Sequence, residues 1–486
     1  MNRIKQSFLL RLFLSFSGGI LLFFAFPPFN AGFLAFFGFI PVLISSREND
    51  KRNFLIGAAA GFVFYSISFS WLYPLAGFLY LLLPLYLCLY WGLFLHLLFL
   101  LPAKGRIFTG AFIWFFLEII VSNMLTGLPW LLLGLSQWQN THMLKIAGVC
   151  GIYGISFIVI LGNLALFHIF RKKNAVSFFF SLLVFVLVFV FPYERLDSTM
   201  DSGRLDVMIV QPGVISKESR NPGEILNAVK NLTEKNIKIG NPSLVIWPEG
   251  SFPDILSDYP GFMKDIEVFC RKFSVSLIMG TFVNEGNELY NSAIMFGHDG
   301  LQVYRKNHLV PYGEFILGGN CRFIRDIFEK TAGYIPNIKH GDEQKMFYMN
   351  GVKIAPLICF ENIFPGMTKN SSKRKAEVFV VITNDSWYGT FSGPFQHFAH
   401  NALRAAESGR YFLQASLAGI SGAVSPSGKI LGAVEKEGRK LFVEGVVFTG
   451  IPLKKGSTFY SEHGDLALFI IAVLFTGVIL CRKQKK

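Results

Sequence analysis

Three reactive side chains in this sequence each follow an apolar, strand-like run. Cys359 ends the run VKIAPLIC, Glu249 ends LVIWPE, and Lys306 follows LQVYR and precedes NHLVPYGE. Ligands of open α/β sheets bind at the carboxyl edge of the strands, so we expect the thiol, the carboxylate and the ammonium to lie at one such edge. A thiolate nucleophile, a carboxylate base and a cation that stabilises an oxyanion together suit acyl transfer through a thioester.

Each of the three residues also has an ordinary explanation. A single cysteine among apolar residues is usually a small core side chain, Glu249 alone would be an exposed carboxylate at a strand end, and Lys306 alone would be a solvated loop lysine. Their shared position after strand-like runs favours a catalytic site. In that site Glu249 would take the proton of the Cys359 thiol, and Lys306 would stabilise the oxyanion with the backbone N–H of Phe360.

The sequence around these residues resembles the nitrilase, or carbon-nitrogen hydrolase, superfamily, which uses a Glu-Lys-Cys triad. TNDSWYG from Thr383, the following GPFQHFAHNALRAAESGR, and LTGLPWLLLGLSQ from Leu125 are similar to its membrane branch, the apolipoprotein N-acyltransferases. The resemblance covers nearly the whole chain. It implies an α-β-β-α sandwich over residues 204–452 that accompanies a bundle of transmembrane helices.

The resemblance also implies a reaction and its substrates. An acyl chain would pass from a membrane phospholipid to Cys359 as a thioester, and then to the α-amine of the diacylglyceryl cysteine of an apolipoprotein. Glu249, Lys306 and Cys359 would be the catalytic residues. This reaction is the last step of bacterial lipoprotein maturation.

Four further residues are supporting or substrate-contacting candidates by resemblance. Glu314 would orient Lys306 or the substrate, and Phe360 would contribute its backbone N–H to the oxyanion site. Glu361 matches a residue that the acyltransferases use, with a helix-cap carboxylate as the alternative. Trp387 would lie near the mouth of the site, with ordinary core packing as an equally open alternative.

The chain departs from the family pattern at positions outside the triad. Phe360 replaces the more familiar Tyr after the cysteine, and Leu417-Ala418 stands where many members have an Asn-containing stretch. Ser219 or Arg220 occupies a position where an aromatic residue is often found. These departures concern substrate contacts.

The composition predicts a membrane protein. Hydrophobic residues make up 52% of the 486 residues and charged residues only 16%, which is too little charge for the surface of a soluble protein of this length. The net charge of +14 is also compatible with nucleic-acid binding. However, Lys and Arg cluster between apolar runs and at the chain ends, as they do in cytoplasmic loops, and this favours a membrane protein that binds no nucleic acid.

The apolar runs predict eight transmembrane spans. They cover Phe8 to Phe26, Gly32 to Ile44, Phe54 to Leu75, Gly77 to Leu101, Ile107 to Leu125, Leu144 to Phe170, Ala175 to Phe191 and Leu466 to Leu480. The predicted domains are a seven-span region (1–192), a linker (193–203), the catalytic domain (204–452), a linker (453–465), the eighth helix (466–481) and a basic tail (482–486).

The basic loops fix the predicted orientation. All of them fall on the side of the amino terminus, so both termini would be cytoplasmic and the catalytic domain extracytoplasmic. Together with the resemblance to the acyltransferases, this orientation implies a multi-pass protein of the bacterial inner membrane, and we expect it to be a monomer.

No cofactor and no metal site are predicted. His397 and His400 have the i, i+3 spacing of helix-borne metal ligands, but no third ligand is evident in the sequence. Cys270 and Cys321 could pair as a disulfide outside the cytoplasm, although sequence separation gives no geometry.

Two rival functions remain open on the sequence. A membrane-tethered amidase with the same triad would give the acyl group to water. A transporter carrying a signalling domain would need polar residues in its spans, where only Arg11 and Glu118 stand out. A buried structural carboxylate is the simpler explanation of Glu118.

Overall fold

The computed structural model describes residues 7–101, 105–172, 178–179, 182–184, 186, 201–214, 222–297, 300–332, 336–466 and 469–470. The chain forms two compact units. The helical unit comprises Met1–Leu196, Thr390–Glu407 and Thr458–Lys486, and the α/β unit comprises Asp197–Gly389 and Ser408–Ser457. A segment of the predicted catalytic domain, Thr390–Glu407, therefore belongs to the helical unit.

The helices of the described residues are numbered α1 to α13 in chain order. They are α1 (Phe8–Ala25), α2 (Phe39–Ile44), α3 (Asn53–Ser68), α4 (Tyr73–Ala76), α5 (Leu82–Leu100), α6 (Arg106–Asn123), α7 (Thr141–Lys172), α8 (Pro222–Gly240), α9 (Pro260–Phe273), α10 (Arg322–Ala332), α11 (Pro365–Lys373), α12 (Gly393–Ser408) and α13 (Phe459–His463).

Within the described residues, four helical segments are long and apolar enough to cross a membrane. They are Phe8–Ala25, Ser70–Leu100, Arg106–Asn123 and Thr141–Phe170. The last of these bends at Gly151, whose φ of 64° lies outside the helical range. A helix needs about 20 residues to cross about 30 Å of hydrocarbon, and these segments meet or approach that length.

The other predicted spans are shorter or lie outside the described residues. The second breaks into a 3-10 turn, Gly32–Phe36, and the short helix α2, and the helix of the third ends at Ser68. Most of Ala175 to Phe191 and of Leu466 to Leu480 lies outside the described residues. The number of eight spans therefore remains a prediction.

The charged side chains of the first and fifth predicted spans bind neighbouring loops. Arg11 is buried and donates to the Ser45 carbonyl at 2.6 Å, to Asp50 at 2.7 Å and to Asn53 at 3.1 Å. Glu118 is also buried and accepts hydrogen bonds from Trp114 Nε1 and from the backbone of Leu133. These contacts give both charged side chains structural partners among the described residues.

The strands of the α/β unit form two sheets. The strands are β1 (Asp201–Gln211), β2 (Leu244–Ile246), β3 (Ser276–Glu285), β4 (Glu288–Gly297), β5 (Gly300–Arg305), β6 (Phe347–Met349), β7 (Val352–Ile358), β8 (Val378–Thr383), β9 (Tyr411–Ser416), β10 (Gly422–Val424), β11 (Ile430–Ala433) and β12 (Gly445–Lys454). Among the described residues, one sheet has the order β12-β1-β2-β3-β4-β5 and the other β11-β10-β9-β8-β7-β6.

Each sheet has a parallel centre with antiparallel edges. Strands β1, β2 and β3 are parallel in one sheet, and β7, β8 and β9 are parallel in the other. Strand β1 shows why two layers form: Val207 and Ile209 pack between the sheets, while Met208 and Val210 pack on the opposite face, with residues of α8 and α9. The predicted α/β domain with two sheets is thus confirmed.

Candidate active site

Glu249 lies three residues beyond the end of strand β2 at Ile246. Its Oε1 accepts a hydrogen bond of 2.7 Å from Asn291 Nδ2, and its Oε2 accepts one of 2.9 Å from the backbone N–H of Asn384. Gly280 of the adjacent strand β3 approaches it closely, because a Cβ at that position would lie 2.5 Å from the Cα of Glu249. The carboxylate is therefore held in one orientation.

Lys306 follows strand β5 directly, and its side chain is 1% exposed. Its ammonium donates to Glu314 Oε1 at 2.9 Å and lies 3.8 Å from Glu249 Oε1. The alternative of a solvated loop lysine is wrong, because the ammonium is enclosed between these two carboxylates.

Cys359 begins a 3-10 turn, Cys359–Ile363, at the end of strand β7. Its φ of 52° lies in the left-handed region, which is uncommon for a residue with a side chain and typical of strained functional turns. The residue is 6% exposed, and its thiol has hydrogen-bonding neighbours in the hydroxyls of Thr383 and Tyr388. The cysteine, the lysine and the glutamate thus all follow strand ends, as predicted.

Glu314 and Asn291 connect the lysine to the glutamate. Asn291 Nδ2 also donates to Glu314 Oε1 at 2.7 Å, so one amide group bridges the two carboxylates. The second oxygen of Glu314 accepts from the backbone N–H of Val310 at 2.8 Å. Glu314 therefore orients Lys306 directly.

Glu361 is fully buried and is surrounded by donors. It accepts hydrogen bonds from the backbone N–H groups of Ile358 at 2.7 Å, Asn307 at 2.6 Å and His308 at 3.0 Å. The Tyr304 hydroxyl lies 2.9 Å from both carboxylate oxygens. Glu361 caps the cysteine turn, but it also connects that turn to the segment that follows Lys306, so the simple helix-cap alternative is incomplete.

The two aromatic candidates differ in exposure. Phe360 is buried and packs against Phe364 and His308, with ring centroids 5.1 Å and 5.9 Å away. Trp387 is 42% exposed, which disfavours the core-packing alternative.

The predicted histidine pair lies on helix α12 in the helical unit. His400 is buried with its Nε2 3.0 Å from the Trp130 carbonyl, and His397 is buried and stacks on the Trp130 ring. Both rings therefore have packing partners within that unit. The possible disulfide is not formed, since Cys270 and Cys321 are both free.

The charges of the site are set by burial and by each other. Burial raises the pKa of Glu249 despite the nearby Lys306 ammonium. Burial alone would lower the pKa of Lys306, but the carboxylates of Glu314 and Glu249 outweigh it and raise that pKa. Burial and the Glu249 carboxylate raise the pKa of the Cys359 thiol. The resting site thus combines a protonated lysine, a protonated thiol and a carboxylate with increased affinity for a proton.

Several residues of the site carry no distinguishing signal in the sequence. Asn291 and Tyr304 lie within strands β4 and β5, where no spacing separates them from other strand residues. Thr383, Asp385 and Tyr388 fall inside TNDSWYG, whose similarity to the family assigns them no individual roles. The position of Asp385 and Tyr388 directly after a buried strand is the signal that could have identified these two residues.

Comparisons with known proteins match both parts of the chain. Residues 18–165 match the model of the apolipoprotein N-acyltransferase N-terminal domain, and residues 207–455 match the carbon-nitrogen hydrolase model. A protein of Geobacter metallireducens named apolipoprotein N-acyltransferase is 28% identical over 92% of this chain and 90% of its own length. One of the same name from Shewanella oneidensis is 27% identical over 90% of this chain and 89% of its own.

A solved structure of a Saccharomyces cerevisiae protein from branch 10 of the nitrilase superfamily is also similar. It is 18% identical, covers 52% of this chain and 92% of its own, and gives a TM-score of 0.40. The two family models and the named relatives confirm the resemblance found in the sequence and the prediction of an acyltransferase. The chain belongs to the carbon-nitrogen hydrolase family, in the membrane branch that carries the apolipoprotein N-acyltransferase N-terminal domain.

Proposed function

We propose that this protein transfers an acyl chain from a membrane phospholipid to the α-amine of the diacylglyceryl cysteine of an apolipoprotein. The observation that carries the proposal is the enclosed group of Glu249, Lys306 and Cys359, which follow the ends of strands from both sheets, in a chain that also has membrane-length apolar helices. The names of the relatives support the lipoprotein acceptor.

The first half-reaction loads the enzyme. The Cys359 sulfur attacks the ester carbonyl of the phospholipid while Glu249 takes the thiol proton. The Lys306 ammonium and the backbone N–H of Phe360 stabilise the oxyanion that forms. The C–O bond to the glycerol oxygen then breaks, Glu249 returns the proton to that oxygen, and a lysophospholipid leaves.

The second half-reaction transfers the acyl group. The α-amine of the acceptor attacks the thioester carbonyl, and Glu249 takes a proton from the nitrogen. The C–S bond breaks as the amide forms, and the proton returns to the sulfur. The thioester must be protected from water between the two steps, which the enclosed position of Cys359 favours.

The membrane arrangement belongs to the same proposal. Eight spans would place both termini in the cytoplasm and the catalytic domain, residues 204–452, on the external face of the bacterial inner membrane. Donor and acceptor are both lipid-anchored, so both would reach a monomeric enzyme by lateral diffusion in one leaflet.

Mass spectrometry of the amino terminus of one lipoprotein tests the function. Cells that contain the protein should give an N-acylated terminal cysteine, and cells without it should give the diacylglyceryl form with a free amine. Equal acylation in both would contradict the proposal. Release of free fatty acid, with no product on the amine, would instead favour the membrane-tethered amidase.

A further inference from the structure

A second carboxylate lies close to the nucleophile, on the turn that follows strand β8. The Thr383 hydroxyl donates to Asp385 Oδ1 at 2.8 Å, and the Ser416 hydroxyl lies 3.3 Å from Asp385 Oδ2. All three side chains are fully buried. Gly419 leaves Asp385 the room it needs, because a Cβ there would lie 2.5 Å from Oδ2. This carboxylate is therefore fixed in position.

The Cys359 sulfur is within reach of the same group. A carboxylate oxygen of Asp385 and the Cys359 sulfur lie within 4.8 Å of one another. The Thr383 hydroxyl is a hydrogen-bonding neighbour of both side chains. A hydroxyl carries one hydrogen, so Thr383 donates either to the carboxylate or to the sulfur, but not fully to both.

We propose that Thr383 and Asp385 are positioning residues for Cys359, and that the Thr383 hydroxyl changes its acceptor during the reaction. While the sulfur is a thiol, the hydroxyl donates to Asp385 and the Asp385 charge disfavours ionisation of the sulfur. When Glu249 removes the thiol proton, the hydroxyl turns to the thiolate and stabilises it. The inference rests on the proposed role of Cys359 as the nucleophile.

Other groups of the α/β unit also face the sulfur. They are Glu249 and Lys306 at the ends of the other strands, and the Tyr388 hydroxyl on the same turn as Asp385. Burial and Glu249 raise the pKa of Cys359 most, and Asp385 adds to that rise, whereas Lys306 and Thr383 lower it. Asp385 and Thr383 therefore act on the thiolate with opposite signs.

Alkylation of Cys359 by iodoacetamide at pH 8 measures these two effects, because only the thiolate reacts. The rate is followed by mass spectrometry of the peptide that contains Cys359. Asp385→Asn removes a negative charge and leaves the hydroxyl a weaker, neutral acceptor, so the rate should rise by about tenfold or more. Thr383→Val removes the hydroxyl at nearly constant volume, so the rate should fall several-fold. Thr383→Ser keeps a hydroxyl and should react like the wild type.

Two other cysteines serve as internal controls. Cys321 is exposed and should react equally in every variant, whereas Cys270 is buried and becomes reactive when the unit unfolds. If the reactivity of Cys270 shows that Asp385→Asn unfolds, the comparison of Thr383→Val with Thr383→Ser tests the proposal on its own.

The proposal would be overturned if the folded variants alkylate Cys359 at the wild-type rate, or if Asp385→Asn and Thr383→Val change that rate in the same direction. It would also be overturned if Thr383→Ser reacts like Thr383→Val. Alkylation needs no lipid substrate. Failure of the wild type to acylate a lipoprotein would therefore count against the proposed function and leave this result intact.

Discussion

The Glu361 carboxylate connects the segment after Lys306 to the turn of Cys359 through its hydrogen bonds, so its protonation state affects both. Burial raises its pKa to about 7, against the hydrogen bonds that its carboxylate accepts from Ile358, His308 and Tyr304. Backbone N–H groups can only donate, so the ionised carboxylate is the form that keeps all of these hydrogen bonds, although burial disfavours its charge. Protonation would weaken these bonds and loosen the turn on which Cys359 lies.

We therefore expect acyl transfer to decline as the pH falls from 8 to 6. Tyr304→Phe removes a donor to the carboxylate, which raises the pKa of Glu361 and moves this decline to higher pH. A pH profile of the acyl-transfer rate for both enzymes measures the shift. Tyr348→Phe, on the exposed side of strand β6, is the matched control. Coincident profiles for wild type and Tyr304→Phe would exclude this role for Glu361.

The pH dependence that Glu361 gives to stability is opposite to the one it gives to activity. Its pKa is raised above the ordinary value of 4.5, so its contribution to the free energy of unfolding is fully present below that value. The contribution is lost as the pH rises through about 7. Lost activity at pH 6 should therefore not be accompanied by unfolding from this group.

The sequence predicted that Glu249, Lys306 and Cys359 follow strand ends, because each comes after a strand-like run. It did not predict that Asn291 binds both Glu249 and Glu314. These hydrogen bonds depend on the register of strand β4 with β3, in which Asn291 pairs with Phe282. Tyr304 was missed for a related reason. Its role depends on Glu361, 57 positions away in the sequence, which only the folded sheets bring within 2.9 Å.

At the scale of elements, the approach of strand β3 to the end of β2 fixes Glu249, the proposed general base. Gly280 leaves no room for a side chain, since a Cβ would meet the Glu249 backbone at 2.5 Å and the Gly250 N at 3.0 Å. Such a distance is shorter than atoms tolerate, and backbone must move to relieve it.

Gly280→Ala should therefore displace Glu249 and reduce acyl transfer by about tenfold or more, while most of the fold persists. Gly366→Ala is the matched control, because a Cβ at that exposed helix position meets nothing within 4 Å. The acyl-transfer rate and the thermal midpoint are measured for both variants. Wild-type activity in Gly280→Ala would show that the close approach does not position the base.

Helix bounds can be predicted best where a clear hydrophobic periodicity coincides with residues that typically begin or end a helix. Helix α9, Pro260–Phe273, is an example: proline stands at its first position and Arg271 and Lys272 lie in its last turn, and both signals can be read in the sequence. The apolar runs of the second and third spans predict longer helices than form, because composition alone does not reveal where a helix breaks. Helix α3 ends at Ser68 although the apolar run continues.

At the scale of the whole molecule, the distribution of Lys and Arg predicts topology. Reporters fused after Asp50, Arg106 or Lys173 should read as cytoplasmic, and one fused after Ser202 as external. Alkaline phosphatase and a fluorescent protein give opposite signals on the two sides and check each fusion twice. A cytoplasmic signal after Ser202 would break the parity of the seven predicted crossings.

In the proposed reaction, Cys359 carries the acyl group between two substrates. Loss of an oxyanion donor slows such reactions by roughly a hundredfold to a thousandfold. The Lys306→Ala enzyme should therefore load the acyl group slowly. Lys345 is exposed, so the control variant Lys345→Ala should load it at the normal rate. Glu249→Gln should fail to load because the thiol then lacks its base.

The most direct measurement is the trapping of the acyl-enzyme. The purified wild type is incubated with phospholipid labelled in its acyl chain, without acceptor, and the label bound to protein is counted before and after hydroxylamine. The wild type should hold label in a hydroxylamine-sensitive bond, and Cys359→Ala should hold none. Normal acylation of a lipoprotein by Cys359→Ala, with no labelled adduct ever trapped on the wild type, would contradict the role of Cys359 as the acyl carrier.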